Sequence, residues 1–244
     1  MKPVVIVKTG EPSPAVMERL GTFEEWILRD MALDQGNAEV VTVFHGAELP
    51  PPNSIAGAVV TGSAAMVPEL HPWSERTASW LRRLVASGSP VLGICYGHQL
   101  LAHALGGRVD NNPRGREIGT VRVRLLPAAK TDPLFSGMPN ELTVQATHLQ
   151  SVLELPVDAV PLGESADDPH HAFRFGSCAW GVQFHPEFNA RIMRTYLAER
   201  HDLLVREGLD PEELATRVED PGHGTQLLQV FARIVGLPIA SATA

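Results

Sequence analysis

The chain has 244 residues, 44% of them hydrophobic, enough to bury a sizeable core, and 20 Lys+Arg against 28 Asp+Glu leave a formal charge of −8. That balance argues against nucleic acid and anionic membrane surfaces as partners, because both select a basic face. Two cysteines, Cys95 and Cys178, provide no disulfide framework, no signal-peptide pattern opens the chain, and no apolar run approaches the roughly 20 residues that cross a bilayer, so a soluble protein of the reducing cytoplasm is expected.

Val4-Val5-Ile6-Val7 reads as a short buried strand, and residues 22–33 follow with helical spacing at Phe23, Trp26, Ile27 and Met31. Val40-Val41-Thr42-Val43-Phe44 reads as a second strand and Ala58-Val59-Val60-Thr61 as a third. Residues 73–86 carry apolar positions at helical intervals and end at Gly88, ahead of the strand Pro90-Val91-Leu92-Gly93-Ile94 and a helix over 99–105. This alternation predicts an α/β fold: a mainly parallel open sheet, three-layered and flavodoxin-like or Rossmann-like, with helices on both faces and functional groups at the carboxyl ends of its strands.

From 108 to 126 the pattern changes to polar and apolar alternation, with Val121, Val123 and Leu125 against Arg122 and Arg124, which predicts an antiparallel edge extension with one wet face. Strand-like runs around Leu142-Thr143-Val144 and over 179–184 precede a helix from 189 to about 207. Asp210-Pro211-Glu212-Glu213 has the form of an N-cap with Pro at the first helical position, and 225–235 supplies a last amphipathic helix before a small-residue tail. The expected organisation is a domain over 1–200 with a helical extension, 201–244, packed on it.

In Pro90-Val91-Leu92-Gly93-Ile94-Cys95-Tyr96-Gly97-His98-Gln99 a cysteine stands between a buried strand and a helix, with glycine two residues away on each side. A nucleophile on such an elbow needs small neighbours, and the helix N-terminus favours a thiolate and an oxyanion. A buried structural cysteine beside glycines is the competing reading. A cysteine nucleophile also needs a base that later protonates the leaving amine, and a group that orients the base. His185-Pro186-Glu187 supplies both residue types directly after the apolar run ending at Phe184, at the carboxyl end of another strand.

G-x-C-x-G-x-Q followed far downstream by G-V-Q-F-H-P-E resembles the signature of class I glutamine amidotransferases. The resemblance runs from Val4 to about Leu197, and within the family it is to free-standing proteins similar to the glutaminase domain of GMP synthase. It implies Cys95 as nucleophile, His185 as general base and acid, and Glu187 as the orienting carboxylate. It also implies an oxyanion hole from the backbone N–H of Tyr96 and the turn Thr61-Gly62-Ser63 at Gly62. The substrate's amino-acid end then falls to Ser63, Gln99 and the segment His148, Leu149 and Gln150. Two positions depart from the family pattern: Gly62-Ser63-Ala64-Ala65 lacks a second glycine and a proline, and Gln150 stands where GMP synthase-like members often carry Asp. Both bear on the substrate rather than the reaction.

The implied activity is hydrolysis of glutamine to glutamate and ammonia through a γ-glutamyl thioester, with ammonia passed to a synthetase partner, since 201–244 is too short for a synthetase domain and the chain has no phosphate-binding G-x-x-x-x-G-K-[ST] loop. A free-standing γ-glutamyl peptidase or amide hydrolase is the alternative, and a catalytically silent regulatory protein of the same fold the third. No cofactor or metal is expected, and a homodimer stays open. Cys178 reads as a packed thiol, His170-His171 beside Asp167-Asp168 as a solvated loop, Glu117 as a buried carboxylate bonded to backbone N–H groups, and the arginines at 108, 114, 116, 122 and 124 as a solvated sheet face.

Overall fold

Short runs of β-branched residues flanked by turn formers can satisfy their backbone only in a sheet covered on both sides, and that is how the N-terminal half folds. The computed structural model describes residues 2–33 and 35–236. Its first half contains β1 (Val4–Lys8), α1 (Pro14–Leu20), α2 (Phe23–Asp30), β2 (Ala38–Thr42), β3 (Gly57–Val60), α3 (Pro72–Ala86), β4 (Val91–Ile94) and α4 (Tyr96–Ala104). The second adds β5 (Arg108–Asn111), β6 (Glu117–Leu125), β7 (Glu141–His148), β8 (Gln150–Glu154), β9 (Val160–Glu164), β10 (Ala172–Phe175) and β11 (Ala179–Val182), then α5 (Ala190–Glu199), α6 (His201–Arg206), α7 (Pro211–Thr216) and α8 (His223–Ile234).

The main sheet runs β2-β1-β3-β4-β11-β10-β9-β6-β7, and β5 pairs with β8 in a small second sheet. Strands β2, β1, β3, β4 and β11 are mutually parallel, whereas β10, β9, β6 and β7 pair antiparallel. The α/β class and the antiparallel edge extension are therefore as expected. Alternate residues of β1 feed opposite faces: Val4 and Ile6 join a core with Ile27, Trp180 and Phe231, while Val5 and Val7 join one with Trp80, Leu81 and Leu101. Helix α8 belongs to the first of these cores. Phe231 is fully buried edge-on against Trp180, with ring centres 6.3 Å apart, and such burial contributes roughly 1.5–3 kcal/mol. Helix α8 thus shares the main core, while Leu204 of α6 and Val218 after α7 pack in a third cluster with Phe188, Ile192 and Tyr196.

Several expectations shift. The predicted helix over 22–33 is the shorter α2, preceded by α1, whose one buried residue, Val16, leaves no periodic signal. The second predicted strand ends at Thr42 and turns through Val43–His45. Helix α4 begins at Tyr96, directly after the cysteine. Strands β8, β9 and β10 carry little apolar alternation, and β9 holds Pro161 and Gly163. The helix expected from 189 to 207 breaks at Arg200 (φ −92°, ψ 9°) into α5 and α6. The tail from residue 237 lies outside the described residues.

Candidate active site

Three parallel strands deliver the site. At the end of β4 the chain reverses so sharply that Cys95 takes φ 51° and ψ −102°, a conformation costing a non-glycine residue of order 1–3 kcal/mol. The flanking glycines make the turn fit: a Cβ on Gly93 would stand 2.4 Å from the Gly97 carbonyl oxygen, and one on Gly97 2.3 Å from that of Val60 on β3. The Cys95 N–H donates to the Val182 carbonyl (2.9 Å), locking the elbow to β11. Immediately beyond, the first N–H groups of α4 have no acceptor within the helix and point their dipoles toward the sulfur's end.

His185 arrives from β11. Its N–H donates to the Gln145 carbonyl of β7 (2.7 Å), Phe188 stacks on its ring with centres 4.1 Å apart, and Gly62 lies against the ring edge, where a Cβ would come 2.8 Å from Cε1. Nδ1 meets Glu187 Oε1 at 2.8 Å, and both side chains are buried. Burial by itself would lower the His185 pKa, but the Glu187 carboxylate and the Cys95 sulfur, through charge and hydrogen bonding, raise it to about 10. With Nδ1 committed to Glu187, Nε2 is the ring nitrogen left for the sulfur, whose own hydrogen bond runs to the Thr147 carbonyl (4.0 Å). The elbow and the H-P-E motif are brought together, and an imidazolium beside the sulfur favours the thiolate.

Cys95 sits where two hollows meet. One, of about 320 Å³, is lined by Ser63, Gln99, Arg116, Leu149, Gln150 and Arg200 among others. The other, of about 260 Å³, lies on the His185 side and is lined by Glu11, Phe23, Tyr196 and Arg200 as well as His185 itself. Two larger hollows, of about 560 and 600 Å³, lie elsewhere and touch neither Cys95 nor His185; the site is located by its chemistry, not by cavity size.

The other predicted residues surround the first hollow with uneven freedom. The Gln99 amide nitrogen is already engaged with the Gln150 carbonyl (2.7 Å) and Gln183 Oε1 (3.0 Å). The Ser63 hydroxyl accepts from the Ala65 N–H (3.1 Å) and the Leu149 carbonyl from the Asn112 N–H (2.8 Å). His148 turns its ring away from the sulfur: Nδ1 faces the Gln150 carbonyl (3.0 Å) and Nε2 faces Glu117 Oε2 (2.8 Å). Both are acceptors, so a ring that fills both bonds donates from both nitrogens.

That same Glu117 oxygen receives His171 Nε2 (2.8 Å), and its other oxygen the Ser165 hydroxyl (2.7 Å). Glu117 is thus buried as expected, but its partners are side chains, not backbone N–H groups. His171 and Asp168 are fully buried rather than in a solvated loop, because the polar cluster supplies inside the protein the bonds that water would give. Despite burial, the two imidazoles hold Glu117 well below the usual carboxylate range. Glu117, His148 and His171 also form a group of metal-ligand types within 4.8 Å of one another, although the 2.8 Å contacts match hydrogen bonds. Arg116, expected on a solvated face, is 10% exposed and bound to Glu207 through Nε (2.6 Å) and Nη2 (3.1 Å). Arg200 carries no signal in the sequence, because the helical pattern runs straight through it.

A strained cysteine elbow on a mostly parallel sheet, facing a histidine–carboxylate pair from the adjacent strand, defines the nucleophile-elbow class of α/β proteins. Residues 21–202 match the family described as glutamine amidotransferase class-I, and the chain belongs to that family. It is similar to the glutamine-hydrolysing GMP synthase of Thermosipho africanus, with 39% identity over 116 residues, 45% of this chain and 22% of that protein. With its Aeropyrum pernix counterpart it shares 36% over 132 residues, 54% of this chain and 24% of the relative. The matches span less than a quarter of those relatives' length. Among solved structures, a glutamine amidotransferase of Thermotoga maritima superposes with TM-score 0.75 at 25% identity, covering 97% of this chain and 99% of the other. A Methylobacillus flagellatus glutamine amidotransferase shares the fold, with TM-score 0.73 at 24% identity over 100% of this chain and 98% of that one. No described helix is long and apolar enough to cross a membrane.

Proposed function

We propose that the protein hydrolyses the side-chain amide of glutamine, with Cys95 as nucleophile, His185 as general acid and base, and Glu187 holding the imidazole. The observation that carries this reading is His185 bonded to Glu187 at 2.8 Å on one nitrogen while its ring and Cys95 line the same hollow, at the junction of two. The thiolate adds to the γ-carbonyl carbon, and the oxyanion is received by the Tyr96 N–H and the turn at Gly62, donors that lower such barriers by roughly 3 kcal/mol each. The C–N bond breaks as His185 protonates the nitrogen, ammonia leaves, and water, deprotonated by His185, opens the thioester to glutamate. Ser63, Gln99, His148, Leu149 and Gln150 hold the amino-acid end, chiefly through backbone groups given how their side chains are engaged. Ammonia passes to a synthetase in trans, the role that the length of the GMP synthase relatives suggests, in a reducing cytoplasm that keeps Cys95 free. Purified protein incubated with glutamine is expected to release ammonia and glutamate in equal amounts; release without either product pairing, or release that persists in Cys95→Ala, refutes the assignment.

A further inference from the structure

The wall common to the two hollows is made by Ser63, Ala64, Cys95, Thr147 and Arg200, whereas His185 and Tyr196 line only the second. On the proposed reaction His185 activates water, so the water of the second step stands in that hollow, whose 260 Å³ or so holds several molecules of about 30 Å³ each. His185 takes one hydrogen of the attacking water. The other needs an acceptor if the oxygen lone pair is to face the carbonyl carbon. Most polar groups around the hollow are already engaged. Ser13 donates to Glu199, Glu11 Oε1 is paired with Lys8 (2.7 Å) while its other oxygen is buried without a partner, and Thr147 Oγ1 receives Arg200 Nη1 (3.2 Å). Arg200 can only donate.

Tyr196 differs from these. The residue is 3% exposed, and its hydroxyl has no hydrogen-bond partner among the described residues yet is not closed off from the hollow the residue lines. Its ring is held by its neighbours: it stacks on Phe188 with centres 5.1 Å apart, Phe188 stacks on His185 at 4.1 Å, and the Arg200 guanidinium carbon lies 5.3 Å from the Tyr196 ring centre. Helix α5 delivers it. Asn189, two residues after Glu187, caps that helix by accepting from the Ile192 N–H (2.9 Å), and Ile192, Met193, Tyr196 and Leu197 form its buried face. Burial first, then the nearby Glu187 and Cys95 charges, raise the Tyr196 pKa above its ordinary value even against Arg200. The phenol therefore stays protonated and orients water without deprotonating it.

We propose that the Tyr196 hydroxyl positions the hydrolytic water beside His185 for attack on the thioester. The inference rests on the Cys95 hydrolase reading and adds a residue to its second half. The water oxygen bonds to the carbonyl carbon and one of its hydrogens passes to His185 Nε2. The C–S bond breaks to return the thiolate, and the other hydrogen, held by the phenolic oxygen during attack, leaves on the new γ-carboxyl group. Displacement of ammonia by the thiolate involves no water and does not depend on the hydroxyl.

The test offers the thioester two nucleophiles: the full chain turns over glutamine in the presence of hydroxylamine, and γ-glutamyl hydroxamate and glutamate are both measured. Their ratio reports the attack of water whichever step limits turnover. In Tyr196→Phe, which keeps the ring and removes only the hydroxyl, the hydroxamate-to-glutamate ratio is expected to rise about tenfold, the worth of one hydrogen bond. Ammonia release in saturating hydroxylamine stays within about twofold of wild type, and the melting temperature within about 1 °C, since no protein hydrogen bond is lost. An unchanged ratio, or an equal loss of both products, overturns the inference while leaving the hydrolase reading standing. So does a Tyr196→Phe protein that unfolds or melts several degrees early, because the hydroxyl then serves the fold. A wild-type protein that forms neither product from glutamine overturns both readings.

Discussion

Two buried histidine–carboxylate pairs lie close together in this molecule, and at first sight they are the same object. His185 meets Glu187 at 2.8 Å, and His148 meets Glu117 at 2.8 Å. They differ in what the other atoms do. Among the described residues the second nitrogen of His185 has no hydrogen-bond partner and opens on a hollow that Cys95 also lines, and the second oxygen of Glu187 has none either. The second nitrogen of His148 is capped by the Gln150 carbonyl, and Glu117 is filled by His171 and Ser165. A pair whose bonds are all taken holds structure, whereas one left open toward a cavity can move a proton. Burial and distance alone do not separate the two; the unused valence does.

The comparison breaks most visibly at the sulfur. Cys95→Ala is expected to lower kcat on the best substrate by at least about 10⁴-fold, since a nucleophile has no substitute, with a melting temperature close to wild type. A residual rate within 100-fold of wild type ends the assignment of the first pair to chemistry. Glu117→Gln does the converse. Removing the shared anion from two buried imidazoles costs about 3–5 kcal/mol, at roughly 2–4 °C per kcal/mol for a chain of this size, while the rate per folded molecule stays within tenfold. Calorimetry and active-site titration read the two quantities separately, and a stable but inactive Glu117→Gln protein makes the second pair catalytic after all.

Glu187→Gln sharpens the contrast. It is expected to slow turnover by about 100-fold, because the imidazole loses the group that orients and charges it. It also changes the pH dependence of stability. The His185 pKa rises from 6.5 in the unfolded chain to about 10 when folded, against burial and through Glu187 and Cys95. Its contribution is therefore fully present below about pH 6.5 and is lost as pH climbs toward 10. The melting-temperature advantage of wild type over Glu187→Gln should shrink across that interval. Glu117 has the opposite sign: with its folded pKa depressed from 4.5, its contribution is present above that value and lost as pH falls below it. Parallel profiles for the two variants would erase the distinction between the pairs.

The first pair was legible in the sequence because its pieces are local. An elbow needs Gly93, Cys95 and Gly97 within five positions, and His185 and Glu187 are two residues apart, each directly after a strand-like run. The second was not, because Glu117 pairs with residues 31 and 54 positions away, and polar residues around Asp167 look the same whether water or buried side chains satisfy them. The parallel sheet showed through its β-branched runs, while β8, β9 and β10 are held by neighbours that no local pattern announces. Arg200 was hidden for a third reason: the apolar spacing continues from α5 into α6, and only the backbone break at 200 turns the guanidinium into the site.

The smallest effect tests whether the two pairs are independent. Ser165 donates to Glu117 Oε1 at 2.7 Å and accepts from the N–H groups of Asp167 (3.2 Å) and Asp168 (3.0 Å). Ser165→Ala leaves one carboxylate oxygen without a donor and should cost about 1–2 kcal/mol. The structural cluster also reaches the site by a route of two bonds, because the Gln150 carbonyl accepts from both His148 Nδ1 (3.0 Å) and Gln99 Nε2 (2.7 Å). If that carbonyl merely anchors two side chains, Ser165→Ala melts a few degrees earlier with kcat and KM unmoved. If it transmits strain, KM rises as the Glu117 cluster loosens, since Gln99 and Gln150 line the hollow beside Cys95. We expect the first outcome, because Gln99 keeps a second bond to Gln183 that does not pass through Glu117.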